Sequence, residues 1–312
     1  MHDLAIVIPA YKIDFFEETL KSLTRQSCKD FTVYVGDDCS PSNFEELVLQ
    51  YQDRLDIVYK KFESNLGGEN LVAQWTRCIE MTQSEPWIWL FSDDDVMGDR
   101  CVELFYKRKK NDGENYLYHF DVKVIDSSNR VIKDALDYPP VITSEDFYCK
   151  KGCARLDSFV VEYVFSRKVY ESVDGFQSFD LAWGSDIATW CKMGKDGGIH
   201  TIMGDFVFWR KSEKNITPDL NRSMARRKFR IDMDYFMWAK HFFGTKKIDL
   251  FTKYFLFRNF VFYSNSLTFA DCGEILNVGV ENAVISNYLK KIVMLMYPIV
   301  KVLKKIKGIL RK

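Results

Sequence analysis

The chain has 312 residues, enough for one large domain or two modest ones, and its 47% hydrophobic and 28% charged residues are ordinary for a soluble globular protein. Its 44 basic and 44 acidic residues give no net charge, and we expect no nucleic-acid partner. The eight cysteines show no zinc-like spacing and favour unpaired thiols in a reducing cytoplasm. No run reaches the roughly 18 apolar residues of a membrane span, and the N-terminal run favours a core strand over a signal peptide.

The neutral total hides a cationic C-terminal segment. Residues 282–312 contain eight basic residues and no acidic one, which leaves 36 basic against 44 acidic residues in 1–281. The two parts of the chain therefore need separate interpretations.

Strands and helices alternate along the first third of the chain. The apolar runs predict strands at 4–8, 31–38, 56–62 and 86–91, and the helical spacing predicts helices at 14–27, 43–51, 69–82 and 99–110. This alternation is typical of an α/β fold with a doubly wound, mostly parallel sheet.

The rest of the chain has a different pattern. It predicts two strands around a bend at 116–120 and 122–126, a strand at 158–165, a turn at 174–176, a helix at about 185–194 and a strand pair within 197–210. From about Met224 the pattern is helical. We expect a catalytic domain at 1–215 and a helical C-terminal extension at 216–312.

Carboxylates stand at the ends of two predicted strands. Asp37 and Asp38 follow one, Asp93 to Asp95 follow another, and a flexible LGG turn lies between them in the sequence. Ligands bind beyond the carboxyl ends of strands in such sheets, so all three features should face one edge. Helix capping explains one aspartate but not three in a row, whereas a Mg²⁺ or Mn²⁺ ion would offset their repulsion.

This arrangement resembles the family 2 glycosyltransferases of the GT-A fold. Five segments carry the resemblance in the expected order: IVIPAYK (6–12), VYVGDDCSPS (33–42), NLGG (65–68), WLFSDDDV (89–96) and VDGFQSFDLAWGSDIATW (173–190). The resemblance implies a sheet with a nucleotide-binding half and an acceptor half, followed here by the helical extension.

The resemblance also implies roles for individual residues. The nucleotide-binding set is Pro9, Ala10, Tyr11, Asp37, Asp38, Asn70, Asp93 and Asp94. Within it, the acidic pair at 37–38 recognises the base, most often uracil. The triplet at 93–95 matches the DxD motif, in which one aspartate contacts ribose and another the metal, and Asp94 or Asp95 is the expected ligand.

Three further residues have expected roles on the acceptor side and at the diphosphate. Asp186 matches the catalytic base of inverting members, Trp183 is a candidate acceptor contact, and Arg210 is a candidate diphosphate contact. The chain departs from the family at Phe91, where an acid is usual, and at Asn70 to Val72, where members often have an arginine.

The expected function is therefore transfer of a sugar, hexosyl or N-acetylhexosaminyl, from a nucleotide donor such as a UDP-sugar. The reaction would be inverting, would depend on Mg²⁺ or Mn²⁺, and would build surface polysaccharide on a glycan or lipid-linked acceptor. Two alternatives stay open: a sugar-phosphate nucleotidyltransferase, and a protein that binds nucleotide-sugars without turnover.

The C-terminal segment 288–312 forms an amphipathic helical pattern. Lysines gather on one side, opposite Ile292, Leu295, Ile299, Val302, Leu303, Ile306 and Leu310. Val293, Met294 and Val300 fall on the basic side, and Pro298 is expected to bend or interrupt the helix. A basic amphipathic helix favours an anionic membrane surface, which predicts a cytoplasmic, peripheral protein on the inner face of the cell membrane; the alternative is a helix packed on the catalytic domain.

Overall fold

The computed structural model describes residues 2–112, 117–212 and 220–309. The chain divides into two compact units, 1–213 and 214–312. In the described ranges, no helix has the length and apolar character needed to cross a membrane.

The first unit begins with alternating strands and helices. The elements are β1 (Leu4–Ala10), α1 (Phe16–Thr24), β2 (Thr32–Asp37), α2 (Phe44–Leu49), β3 (Ile57–Lys61), α3 (Leu71–Ile79) and β4 (Trp87–Leu90). β1, β2 and β4 are almost wholly buried, as their continuous apolar sequences predicted. Every element predicted for this stretch is present.

The unit continues with further strands and helices. They are β5 (Val96–Met97), α4 (Cys101–Asp112), β6 (Leu117–Ile125), β7 (Val131–Lys133), β8 (Val141–Ile142), α5 (Ser144–Gly152), β9 (Tyr163–Ser166), α6 (Arg167–Ser172), a 3₁₀ turn at Asp180–Ala182, α7 (Ser185–Met193) and β10 (Ile199–Arg210). The sequence pattern did not predict β5, β7, β8, α5 or α6, because the strands and α6 are short and α5 lacks a clear apolar face.

One sheet organises the unit, in the order β3-β2-β1-β4-β9-β6-β10-β5, with β7 on β6 and β8 on β10. The α/β fold is confirmed, and the sheet is mixed. The strands β3, β2, β1 and β4 run parallel, whereas β9 pairs antiparallel with both β4 and β6. The parallel half brings the carboxyl ends of its four strands to one edge.

Three predicted strands differ from the structure. The bend expected between 116–120 and 122–126 is absent from the described part, because β6 runs unbroken to Ile125. The pair expected in 197–210 is one strand, β10, with an irregularity in its pairing between Ile202 and Val207 around Gly204, whose φ is 110°. Residues 158–162 form a turn and not a strand, since the Glu162 carboxylate accepts the Phe159 N–H.

The second unit consists of helices in the described range 220–309, as predicted. They are α8 (Arg222–Phe243), α9 (Lys246–Tyr263), α10 (Phe269–Glu281) and α11 (Asn287–Ile309). A capping box of Thr268 and Asp271 begins α10, and Asp271 also pairs with Arg222 and Arg226 of α8.

Helix α11 continues through Pro298, so the expected interruption does not occur. Val293 and Val300 are buried on one side, and α11 packs on α10. This contact explains why these two apolar residues fell on the predicted basic face. Residues 310–312 lie outside the described residues, as do the side chains from 305 onward, so the predicted positions of Ile306 and Leu310 are not described.

Candidate active site

The loop after β1 joins the two acidic clusters. The backbone N–H groups of Tyr11 and Lys12 both donate to Asp93 Oδ2, at 2.7 Å each, and the Tyr11 carbonyl accepts from Ser40 Oγ at 2.8 Å. These bonds connect the ends of β1, β2 and β4, which are neighbours in the sheet. The acids therefore meet at one edge, as the sequence predicted.

Asp37 is fully buried at the end of β2. Its carboxylate accepts the Ser40 N–H and the Tyr59 hydroxyl, both at 2.7 Å, and Lys61 lies 3.9 Å away. Tyr59 and Lys61 come from the neighbouring strand β3. The aspartate thus shapes the turn after β2, and its expected contact with a base stays a prediction.

Asp38 holds the LGG turn against the end of β2. Its two oxygens accept the N–H groups of Leu66 and Gly67 at 2.7 and 2.8 Å. A Cβ at Gly67 would lie 2.7 Å from Asp38 Oδ2, closer than two such atoms can approach. Glycine lets the backbone come this near to the carboxylate, and a side chain at position 67 would force Asp38 to move.

Arg77 is a site residue that the sequence patterns did not indicate. Its guanidinium pairs with the Asp38 carboxylate, donates to the Ser64 carbonyl at 2.9 Å and lies 3.9 Å above the Phe62 ring. Arg77 is in the last turn of α3, whereas the resemblance placed an arginine in the first turns. The sequence signal that could have indicated Arg77 was its spacing of seven residues from Asn70, which is about two helical turns.

The remaining residues expected at the nucleotide lie at the same edge or at the start of α3. Pro9 and Ala10 end β1, with Ala10 buried, and Tyr11 is 44% exposed. Asn70 caps α3 by accepting the Ala73 N–H at 3.0 Å, and it is itself exposed. The cap is a sufficient structural reason for Asn70, so its contact with a nucleotide stays a prediction.

The aspartate triplet is buried with little to balance its charge. Asp93 and Asp94 are 8% exposed and Asp95 only 1%. Burial and then Asp94 raise the pKa of Asp93 to about 7, and burial raises the pKa of Asp95 well above its usual range. Such carboxylates favour a nearby cation, because a positive charge restores the solvation that they have lost.

The three acids have different contacts. Asp95 accepts the Arg210 N–H at 2.6 Å, and Asp93 accepts the two N–H groups of the β1 loop. Asp94 accepts only from Ser92 Oγ, at 2.7 Å, among the described residues. Asp94 thus keeps one oxygen for a ligand.

The geometry does not indicate a metal ion that is held by protein ligands alone. No group of three potential ligands converges within the described ranges. Mg²⁺ typically takes one or two carboxylates and completes its shell with water and phosphate oxygens. The oxygen-only donors of the triplet fit that mode.

Arg210 lies beneath the triplet, fully buried, at the end of β10. Its guanidinium donates to the carbonyls of Asp94 and Asp126, at 2.7 and 3.0 Å, and to the Glu18 carboxylate at 2.7 Å. In this structure these donors point inward and hold the loop that carries the acids, and the diphosphate contact expected of Arg210 stays a prediction.

Asp186 lies in the first turn of α7, after Gly184 at φ 82° and the partly exposed Trp183. Burial raises the pKa of Asp186, while Lys151 and the Ile187 N–H act to lower it. The partial exposure of Trp183 is compatible with contact to an acceptor, and that contact stays a prediction.

Strand β9 pairs antiparallel with β4, with Trp89 opposite Val164. The Trp89 indole also donates to the Val161 carbonyl at 2.7 Å. Glu162 is fully buried, and its charge interacts with Lys151 and Asp186. Glu162, immediately before β9, is thus a buried acid near this part of the sheet that the sequence patterns did not indicate.

The fold and site define an α/β domain of the GT-A class, with acidic clusters gathered beyond the ends of its parallel strands. Residues 5–153 match the model of glycosyl transferase family 2. The match covers just under half of the chain and confirms, over these residues, the family 2 resemblance that the motifs carried. Asp186 and Trp183 lie beyond the matched residues.

Sequence relatives cover limited parts of the chain. An uncharacterized glycosyltransferase of Haemophilus influenzae is 27% identical over 118 residues, which are 37% of this chain and 38% of that protein. The poly(ribitol-phosphate) beta-N-acetylglucosaminyltransferase TarS of Staphylococcus aureus is 30% identical over 98 residues, 30% of this chain and 16% of TarS. The chain thus spans well under half the length of these relatives.

A crystal structure of S. aureus TarS in complex with UDP has the same fold. It superposes with a TM-score of 0.67 at 13% identity, over 96% of this chain and 88% of the TarS chain. A TarS structure in complex with UDP-GlcNAc gives a TM-score of 0.59 at 13% identity, over 96% of this chain and 92% of that chain.

Proposed function

We propose that this chain is an inverting, metal-dependent glycosyltransferase that uses a UDP-sugar. The observation that carries the proposal is the meeting of the β1 loop, Asp38 and the aspartate triplet at one sheet edge, linked by the Tyr11 and Lys12 backbone bonds. The family 2 match of residues 5–153 supports it.

The donor nucleotide would bind across this edge. Pro9, Ala10 and Tyr11 would border the base, and Asp37 or Asp38 would recognise it. The UDP and UDP-GlcNAc complexes of TarS, which shares the fold, support uridine as the first base to test. Because Asp38 already holds the LGG turn, a nucleotide there would contact a preorganised surface.

Asp94 would hold the divalent cation, since its carboxylate keeps an oxygen without a protein donor among the described residues. When bound, Mg²⁺ or Mn²⁺ would supply positive charge to the departing diphosphate. Asp93, fixed by Tyr11 and Lys12, would orient the ribose. Arg210 would keep the triplet in place through the Asp94 carbonyl and the Asp95 carboxylate.

Asp186 would accept the proton of the attacking hydroxyl. A single base opposite the leaving diphosphate, with no covalent intermediate, inverts the anomeric carbon. Trp183, three residues earlier, would contact the acceptor. A hexosyl and an N-acetylhexosaminyl donor both remain candidates.

The acceptor we propose is a glycan or a lipid-linked glycan in surface polysaccharide assembly. An apolar stripe on α11 supports a membrane-bound acceptor. The exposed residues of this stripe are Tyr288, Ile292, Leu295, Ile299, Val302 and Leu303. Lys290, Lys291 and Lys301 lie on the same helix, and this combination fits an anionic lipid surface on the inner face of the cell membrane.

A donor screen tests the proposed activity. UDP-, GDP- and dTDP-sugars are incubated with the full chain, with Mn²⁺ or with EDTA, and thermal shift and release of nucleoside diphosphate are measured. We expect one donor class to stabilise the protein and to be hydrolysed only with metal. Release of pyrophosphate from a nucleoside triphosphate and a sugar phosphate would indicate nucleotidyl transfer, and binding without turnover of any donor would indicate a binding protein.

A further inference from the structure

The side chain of Arg77 connects α3 to the end of β2 and to the loop after β3. Its guanidinium pairs with the Asp38 carboxylate, donates to the Ser64 carbonyl at 2.9 Å and lies 3.9 Å from the centre of the Phe62 ring. Its Nε–H donates to the side-chain oxygen of Gln74, which lies about one turn earlier in α3. The Arg77 side chain is 19% exposed, so these contacts leave it little freedom to move.

Gln74 extends this connection into the core. It is almost fully buried, and its amide donates to the Gly36 carbonyl at 3.3 Å, two residues before Asp38 in β2. A Cβ at Gly36 would lie 2.4 Å from Cys78 Sγ, so α3 packs closely against this part of the strand. Helix α3 therefore holds the end of β2 through close packing, through Gln74 and through Arg77.

The contacts of Asp38 leave room for one more hydrogen-bond donor. A carboxylate has about four lone-pair positions on its two oxygens. Oδ1 accepts the Leu66 N–H at 2.7 Å and also accepts from the Arg77 guanidinium. Oδ2 accepts the Gly67 N–H at 2.8 Å. Among the described residues, Oδ1 is therefore fully engaged, and Oδ2 keeps one lone pair.

Of the acidic pair at 37–38, Asp38 is the member with surface left for a base. Asp37 is wholly buried, whereas Asp38 is 4% exposed. The remaining lone pair on Asp38 Oδ2 requires a donor from its ligand. Uracil carries an N–H at N3, whereas N3 of neutral cytosine is itself an acceptor and would leave the carboxylate without a partner. A carboxylate fixed in this way favours uracil over cytosine.

A nearly buried carboxylate is costly unless a cation and hydrogen-bond donors offset its lost solvation. Resting on the proposed contact between Asp38 and the base of the donor, we propose that Arg77 is a positioning residue that sets base specificity. Its guanidinium engages Oδ1, so that the carboxylate presents Oδ2 to the N–H of uracil. Arg77 itself touches no reacting atom.

Discrimination between two nucleotides tests this role on the full chain. The dissociation constants of UDP and CDP are measured by calorimetry with Mn²⁺. We expect the parent to bind UDP at least about tenfold more tightly than CDP, because cytosine leaves the Asp38 carboxylate without a donor. In Arg77→Met this ratio should fall to about threefold or less, mainly because UDP binds more weakly. A parent-like ratio in Arg77→Met would overturn the proposal.

The ratio separates positioning from folding. Loss of Arg77 leaves the Asp38 charge without its cation and should lower stability. A smaller folded fraction weakens UDP and CDP binding equally, however, and leaves their ratio unchanged. If Arg77→Met does not fold, Arg77→Gln, which keeps an N–H donor without the charge, carries the same test. With the donor that the screen identifies, KM should rise while kcat changes little, and a loss in kcat alone would overturn the role.

A double-mutant cycle tests whether Arg77 acts through Asp38. Asp38→Asn should itself lower the ratio and weaken UDP binding, and the double variant with Arg77→Met should bind UDP as Asp38→Asn does. A further loss of UDP affinity in the double variant would indicate a direct contact of Arg77 with the nucleotide and overturn the positioning role. If Asp38→Asn keeps the parent ratio and affinity, the base contact of the proposed function fails instead, and the role of Arg77 fails with it.

Two further variants serve as controls. Arg77→Lys keeps a positive charge beside Asp38 and should recover part of the discrimination that Arg77→Met loses, although lysine cannot reproduce all the guanidinium contacts. Arg54→Met removes a half-exposed arginine that also lies over an aromatic ring, 4.4 Å from the centre of Tyr51, and should keep the parent ratio. Equal ratios in Arg77→Lys and Arg77→Met, or a lowered ratio in Arg54→Met, would contradict the Arg77–Asp38 pair as the cause.

Discussion

At the level of single residues, the proposed chemistry rests on two carboxyl groups. Asp186, at the start of α7, is the proposed base, and Asp94 is the triplet member with an oxygen left for a cation among the described residues. Other acids of the site bind backbone N–H groups instead, as Asp38 does in the LGG turn. Substitutions that keep shape but remove charge can therefore separate chemical from structural roles.

Replacing Asp186 with Asn should lower turnover of the accepted donor by about 100-fold or more, because an amide cannot take the acceptor proton. Affinity for UDP, measured by calorimetry, should change little. Asp180→Asn is the matched control, since that aspartate is exposed and lies in the 3₁₀ turn just ahead of α7. Near-normal turnover in Asp186→Asn would remove this residue from the mechanism.

Asp94→Asn should weaken Mn²⁺-dependent UDP binding more than Asp95→Asn does. We expect at least about a tenfold rise in the Mn²⁺ concentration needed for half-maximal binding, because Asp94 supplies the charged ligand. An Asn at 95 can still accept the Arg210 N–H. A calorimetric titration of Mn²⁺ at fixed UDP measures both, and the reverse order would assign the metal to Asp95.

His119 should make the protein sensitive to acid. It is fully buried in β6 and stacks on Tyr138 with ring centres 3.9 Å apart, and neither ring nitrogen has a hydrogen-bond partner in the described ranges. A histidine within an apolar strand is ordinarily packed and hydrogen-bonded, and His119 is only packed. Burial lowers the pKa of His119 to about 3, below that of the unfolded chain.

Between those two pKa values only the unfolded chain binds the proton, so stability falls by about 1.4 kcal/mol for each pH unit below 6.5. His119→Phe should not show this loss of stability at low pH. Its free energy of unfolding at pH 7 should match or exceed that of the parent, since the phenylalanine has no unpaired nitrogen. Urea unfolding at pH 7, 6 and 5 measures the difference. His200→Phe, where the histidine is partly exposed, is the control and should lose stability at low pH as the parent does. An equal loss in His119→Phe would show that His119 is not its source.

At the level of elements, long-range contacts decide how the site is held. The loop after β4 depends on β10, through the Arg210 backbone and side chain, and on α1 through Glu18. The Arg210 guanidinium also lies 4.2 Å from the centre of the Phe15 ring. Loss of the Arg210 contacts should displace the aspartate triplet, even though Arg210 itself is not exposed to a ligand.

Arg210→Met should lower the free energy of unfolding by about 3 kcal/mol or more, because it leaves buried carbonyls and Glu18 without their donor. Donor affinity should fall as well, since the triplet loses its support. Arg25→Met is the control, because its pair with Asp99 is half exposed and contributes less than about 1 kcal/mol. Unfolding in urea and UDP titration test both effects; weaker UDP binding with unchanged stability would favour a direct diphosphate contact.

Local sequence patterns predicted the types of the elements, but not where strands are continuous or which strands pair. Runs such as LAIVI are typical of buried strands, and the spacing in 69–82 is typical of a helix with one apolar face. The division of 197–210 into two strands was wrong, since the sheet keeps the chain paired on both sides of Gly204. The partners of a strand are set by residues far away in the sequence, which periodicity does not report.

On the scale of the whole molecule, the acidic first part and basic end of the chain suggest a role at a surface. The stripe on α11 is an unusual exposure of apolar side chains, with Leu295 at 75% and Val302 at 58%. Its burial in lipid would remove this area from water, and the nearby lysines would add attraction to anionic headgroups.

Binding to anionic vesicles should therefore depend on the stripe. We expect the parent to co-sediment with vesicles that contain phosphatidylglycerol, less so at high salt, and Leu295→Gln/Val302→Gln to lose several-fold in bound fraction. Val131→Gln/Met203→Gln, also exposed and apolar, should bind like the parent. Equal binding by all three proteins would reject a membrane role for α11, as would no binding by the parent.

The sequence by itself determined the α/β class, the family, the helical C-terminal part and the meeting of Asp38 with the LGG turn, because these depend on local periodicity and on motifs at strand ends. Only the tertiary structure decided that Arg77 pairs with Asp38 and that Arg210 is buried and holds the loop of the triplet. Those contacts join residues that are from 39 to 116 positions apart. Their energies depend on burial and on the register of β9 and β10, which no short stretch of sequence contains.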